Sequence, residues 1–94
     1  MRYIRQIRVA YPGQANHHIT HVRYAETPFG PLREASRDRV AHDIEDSGIR
    51  YRSRNDLTGR EATVDVRSTV LGQRYITTVA DGRETNNLLS LPRF

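Results

Sequence analysis

The stretch that decides the fold is Ile49-Arg50-Tyr51-Arg52-Ser53-Arg54, followed after residues 55–60 by Glu61-Ala62-Thr63-Val64-Asp65-Val66. Both runs alternate with a period of two, the signature of half-buried strands. Paired as a hairpin, they place Ile49, Tyr51 and Ser53 opposite Val66, Val64 and Ala62 on one face. The other face carries Arg50, Arg52 and Arg54 opposite Asp65, Thr63 and Glu61. An apolar inner face and opposite charges outside agree on this register. The arginine row, which resembles a nucleic-acid stripe, is thereby mostly neutralised by its neighbours, leaving Arg52 and Arg67 free on the outer face.

Working toward the end of the chain, the strand that begins at Glu61 is read as running to Val70. It turns through Leu71–Arg74 into Tyr75–Ala80, with Val70 opposite Tyr75, Ser68 opposite Thr77 and Val66 opposite Val79. That register puts Tyr75 inside and Ile76 outside. Asp81-Gly82 is a favoured tight-turn pair. The tail Asn87-Leu88-Leu89-Ser90-Leu91-Pro92-Arg93-Phe94 is apolar enough to dock on the domain.

Toward the start, Ser36 is a good N-cap and Gly48 a natural stop. They bracket a helix of about 10–11 residues whose inner face is Val40, Ala41 and Ile44. Arg39, Asp43, Glu45 and Asp46 fall on its solvated face. Three acids in the last turn oppose the helix dipole, which suggests that they face arginines elsewhere. Before the helix, residues 3–11 and 18–24 form two β-prone runs joined at Pro12-Gly13, a hairpin with its loop at 12–17. Its inner face pairs Ile7 with Val22 and Val9 with Thr20. Outside, Arg8 meets His21 and Gln6 meets Arg23, with Arg2 further along. Arg5 opposite Tyr24 suggests a cation–π pair. Ile4 and Ile19 fall outside in this register, a sign of a bulge. The element order is ββαβββ, an α+β domain with an antiparallel sheet of about five strands and one helix on a face.

Ninety-four residues suit one compact domain with a thin core. The charge is +4, carried on fifteen arginines with no lysine. A G/C-rich genome would account for that choice. So would selection for the guanidinium fork, which grips phosphate and carboxylate and stacks on rings. Without cysteine, disulfides and thiolate metal sites are ruled out, and a reducing, cytoplasmic setting is expected. No stretch approaches the roughly 20 apolar residues of a membrane span, so no membrane partner is expected.

The charge is unevenly spread. No acid precedes Glu26, yet the first 24 residues hold Arg2, Arg5, Arg8 and Arg23 with His17, His18 and His21. Like charges opposite each other destabilise a sheet. The acidic helix end, a sister subunit or an anionic ligand must therefore compensate. Metal binding is not supported, because on a strand His17 and His21 stand roughly 13 Å apart and His18 points away. The serines lack a nucleophile elbow, the glycines form no phosphate loop, and Asp38 and His42 read as a surface i,i+4 pair. Tyr3, Tyr11, Tyr24, Tyr51 and Tyr75 interleave with arginines as stacking surfaces do, although Tyr51 and Tyr75 read as core.

His18-Ile19-Thr20-x-Val22, Ser36-Arg37 and Ile44 of the helix, Tyr75-Ile76-Thr77-Thr78-x-Ala80-Asp81-Gly82 and Asn87-Leu88-Leu89-Ser90-Leu91-Pro92 together resemble a family of small prokaryotic proteins, domain of unknown function 3892. The resemblance spans nearly the whole chain and implies a stand-alone domain, with no activity, cofactor or site residue attached. From the residues themselves, the first expectation is a non-catalytic binding module without a cofactor. It would hold an anionic partner, nucleic acid or a nucleotide, through Arg2, Arg8, His21, Arg23 and Arg52. The second is an interaction module in which the same charge meets the acidic helix end or a sister subunit, with Ile76 and the leucine tail forming a homodimer. A third is a small phage or host accessory that sequesters a signalling nucleotide.

Overall fold

The computed structural model describes all of residues 1–94. It contains strands β1 (Arg2–Val9), β2 (Ile19–Ala25) and β3 (Arg33–Ser36), helix α1 (Arg37–Asp46), and strands β4 (Tyr51–Arg54), β5 (Glu61–Ser68), β6 (Arg74–Ala80) and β7 (Arg83–Thr85). The class is α+β with one helix, as expected. The sheet is larger than expected, with seven strands in the order β3-β2-β1-β4-β5-β6-β7. It is also mixed, because β1 and β4 run parallel, Arg2–Ile4 lying beside Tyr51–Ser53. The two added strands are the edges. β3 follows the Pro28–Pro31 break with no hydrophobic run to announce it, and β7 returns through Asp81 and Gly82, at φ 53° and 77°. Both edges are short and charged (Arg33 and Glu34, Arg83 and Glu84), which discourages edge-to-edge pairing with another chain.

The β4–β5 register is the one read from the sequence: Arg52 opposite Thr63, Ser53 opposite Ala62 and Arg54 opposite Glu61. The first hairpin keeps Ile7 opposite Val22, Arg8 opposite His21 and Gln6 opposite Arg23, but two irregularities flank that block. Ile4 pairs with Tyr24 and Gln6 with Arg23, so Arg5 is an extra residue. Arg8 pairs with His21 and Val9 with Ile19, so Thr20 is another, and the expected Val9–Thr20 pair is replaced. Each bulge turns a three-residue spacing into two side chains on one face. Ile4 with Ile7, and Ile19 with Val22, are accordingly all fully buried. Arg5 is thereby displaced from Tyr24, and the guanidinium over that ring is Arg2's, 4.9 Å from its centroid.

β5–β6 departs further. β5 stops at Ser68 and the turn is longer, so Val66 meets Ile76, Arg67 meets Tyr75 and Ser68 meets Arg74. The three-residue shift reverses the faces of β6. Ile76 is fully buried instead of exposed, while Val70 and Leu71 stand in solvent on the loop. Tyr75 is half-buried, and its hydroxyl donates to the Glu84 carboxylate.

Ser36 caps α1 by accepting from the Arg39 amide at 3.1 Å, and Gly48 follows the helix at φ 65°. The helix touches β2 and β3 on one side and β5 and β6 on the other, so the sheet wraps beneath it. Val40 and Ala41 are buried as expected. Asp43 is not solvated: it is 1% exposed. The other acids of the last turn do find basic partners, Glu45 with Arg74 at 2.7 Å and Asp46 with His42 at 2.9 Å. His42 thus pairs toward the end of the helix and not with Asp38. Residues 16–18 form a 3-10 turn rather than strand, in which the His18 Nδ1 accepts from the amides of Gln14 and Ala15. The tail docks through Leu88 and Leu91. Beyond them, Ile7 donates to the Pro92 carbonyl and Phe94 donates to that of Ile7, each at 3.0 Å.

Candidate anion-binding face

The outer face of the first hairpin follows from its central register. With Ile7 and Val22 turned inward, their neighbours Gln6, Arg8, His21 and Arg23 point the other way. The docked tail then delivers one more residue. Because Phe94 hydrogen-bonds to Ile7, its ring lies against this face, with the guanidinium carbons of Arg8 and Arg23 at 4.6 and 4.2 Å from its centroid. The Arg8 Nε donates to the main-chain oxygen of Phe94 at 3.1 Å, and Arg23 donates to Gln6 Oε1 at 3.3 Å. No aspartate or glutamate side chain pairs with either arginine. Glu34 on β3 stands in register with Arg23, yet no ion pair joins them. A ring contributes ~0.5–1 kcal/mol to an exposed cation but leaves its charge intact, whereas a carboxylate cancels it. Two guanidinium groups that no acidic side chain engages therefore converge over one phenyl ring. Beside them His21, opposite Arg8, holds Nδ1 3.0 Å from the Thr20 hydroxyl.

Arg2 and Arg52 do not join this group. Arg2 reaches under the sheet to Asp43 Oδ2 at 3.1 Å and the Tyr51 hydroxyl at 2.8 Å, and it lies against the rings of Tyr24 and Tyr51. Its pKa is raised above the ordinary value, first by the hydrogen bond to Tyr51, against the opposing effect of burial. Burial also pushes the Tyr51 hydroxyl up, and its hydrogen bond to Asp43 adds to that, while Arg2 pulls the other way. Arg39 completes the cluster, its Nε 3.2 Å from Asp43 Oδ1.

Arg52 is not free as expected. Its Nε lies 3.1 Å from Glu61 Oε1, and Arg54 takes the second oxygen at 2.6 Å. Arg67 lies 3.6 Å from Asp65, and Arg5 makes a forked pair with Asp56, Nη2 to Oδ2 at 2.9 Å. Of the five arginine and histidine positions singled out in the sequence, the structure gathers Arg8, His21 and Arg23 and engages Arg2 and Arg52 elsewhere. The residues missed are Phe94 and Gln6. Phe94 carried one legible signal, an aromatic at the end of an apolar tail.

The fold defines a class first, a small mixed-sheet α+β domain with a single helix. A family model described as "Protein of unknown function (DUF3892)" matches residues 3–92, and the chain belongs to that family. No curated protein and no solved structure matches it. Phe94, which carries the shared ring, lies just past the matched residues.

Proposed function

We propose that the chain is a small non-catalytic module that holds an anionic partner, nucleic acid or a nucleotide, on the outer face of the first hairpin. The observation that carries this reading is the pair Arg8 and Arg23, which meet no acidic side chain over the Phe94 ring while Arg2 and Arg5 are paired with Asp43 and Asp56. Guanidinium forks grip phosphate in a bidentate manner and also stack on flat rings. The pair can therefore turn from the phenyl ring toward phosphate oxygens, with the ring left as a stacking surface. His21 adds a further donor at the edge.

The test is fluorescence anisotropy with short single-stranded RNA and DNA, and competition by free nucleotides, over a salt series. Phosphate contacts predict binding at low salt that weakens steeply as salt rises. The double variant Arg8→Gln/Arg23→Gln loses it. Absence of binding to all of these at low salt would end the reading. A preference for nucleotides over polymers favours the sequestering role. Ile76, Leu88 and Leu91, the apolar residues that a homodimer would have used, are buried in the chain's own core.

A further inference from the structure

A second polar site lies away from the hairpin face. A cavity of about 210 Å³ opens between the end of β4, the β4–β5 loop and the tail, lined by Ser53, Asn55, Thr58, Arg60, Asn87 and Ser90 with Leu91 as its one apolar wall. Its volume is below the ~300–1,000 Å³ of sites that hold drug-sized molecules, which points to a small ligand.

Internal hydrogen bonds decide which groups remain to bind one. The Asn55 Oδ1 accepts from the amides of Leu57 and Thr58, at 2.9 and 3.2 Å, and fixes the loop. The loop closes with Asn55 donating to the Arg60 carbonyl at 3.0 Å and Gly59 to the Asn55 carbonyl at 2.7 Å. Acceptor capacity at Asn55 is thus spent while its NH2 group is not. Thr58 Oγ1 accepts from the Arg60 amide, and Ser90 Oγ donates to the Asn86 carbonyl. The Arg60 guanidinium, the Asn87 amide and the Ser53 hydroxyl have no partner within the protein, and Ser53 is only 2% exposed. The acid next in sequence, Asp56, is committed to Arg5 through both oxygens. No carboxylate lines the cavity. Each unspent group can donate, they come from three separate segments, and one carries a full positive charge.

We propose that this cavity is a site for a phosphate group, either the free ion or a phosphomonoester, held by Arg60 with the Asn55 and Asn87 amides and the Ser53 hydroxyl. A phosphate presents three or more strong acceptor oxygens in different directions, which suits donors converging from three segments better than a planar carboxylate does. The site is independent of Arg8, Arg23 and Phe94.

The test is an NMR titration of the full chain with inorganic phosphate, replacing chloride at constant ionic strength. Saturable amide shifts at Ser53, Asn55, Arg60, Asn87 and Ser90 are expected. Arg60→Gln should weaken the titration roughly tenfold or more, since hydrogen bonds to charged groups are the strong ones. Asn87→Asp, nearly isosteric, should abolish it by repulsion. Arg8→Gln/Arg23→Gln should leave it unchanged, which separates this site from the hairpin face. Parallel titrations with phosphoserine and a nucleoside 5′-monophosphate assign the source, the tighter binder identifying free ion or ester. Shifts confined to the hairpin face, a titration indifferent to Arg60→Gln, or acetate or an uncharged sugar binding as tightly as phosphate would each overturn the proposal.

Discussion

The Tyr51 hydroxyl donates a 2.7 Å hydrogen bond to Oδ2 of Asp43, and Arg2 donates to both partners. This contact ties the only helix to the two strands that run parallel, β1 and β4. A carboxylate this deeply buried needs every partner it has. Tyr51→Phe should therefore cost about 1–3 kcal/mol, the usual penalty for an unsatisfied buried group. Asp43→Ala strands Arg2 and should cost about 3–5 kcal/mol. Urea denaturation of the two variants checks both the order and the size.

The same contact fixes how stability changes in alkali. Tyr51 has its pKa raised, so the folded state favours the protonated phenol. As pH rises the unfolded chain loses that proton first. The stabilising contribution is complete below the ordinary tyrosine value of 10.0 and is lost above it. The urea midpoint should stay flat on the approach to pH 10 and then fall, and Tyr51→Phe should make the fall shallower. Tyr75 is shifted in the same direction by burial and by Glu84, so some slope should survive the substitution.

The β5–β6 register can be tested with one buried and one exposed aliphatic from the same hairpin. Ile76→Ala should cost about 2–5 kcal/mol, as core truncations do. Val70→Ser, at a fully solvent-exposed loop position, should stay within about 0.5 kcal/mol of wild type. Equal costs would contradict the pairing of Val66 with Ile76.

On the hairpin face, Arg8→Gln and Arg23→Gln should each lower the slope of log affinity against log salt for nucleic acid by about 1. Their effect on denaturation should be below ~1 kcal/mol, because each loses only a ring contact and one hydrogen bond, to the Phe94 main-chain oxygen or to Gln6.

Ser36→Ala removes the acceptor for the Arg39 amide and should cost about 0.5–2 kcal/mol. The loss should appear as lower helical circular dichroism near the thermal midpoint.

What could be read in the sequence was what neighbouring residues decide. The β4–β5 register was legible because Arg54 with Glu61 and Ser53 with Ala62 agree on both faces at once. The Ser36 cap and the Asp81-Gly82 turn are equally local. The parallel pairing of β1 with β4 was not legible, because no short-range pattern marks a contact between residues some fifty positions apart. Asp43 was misplaced for the same reason: helical spacing puts it beside Arg39, and only the tertiary fold brings Arg2 and Tyr51 to it. The bulges at Arg5 and Thr20 left a trace in the misfit of Ile4 and Ile19, which showed that something was irregular without saying where. For the hairpin face, the acid-free composition led to Arg8 and Arg23. The same composition could not show that Arg2 and Arg5 are neutralised from a distance, or that a ring from the tail lies over the other two.

One side of β1 is shared between two segments, β4 beside Arg2–Ile4 and the tail beside Ile7. Within this domain the central strand is made before the other elements, yet its hydrogen bonding is finished by residues 92–94, which follow all of them. Until then Ile7 keeps an unpaired amide and carbonyl, and the space filled by Leu88 and Leu91 stays open. Folding of this domain therefore cannot proceed element by element as the chain emerges from the ribosome. It must wait for the tail, and through that interval the nascent chain exposes an open strand edge of the kind that chaperones bind.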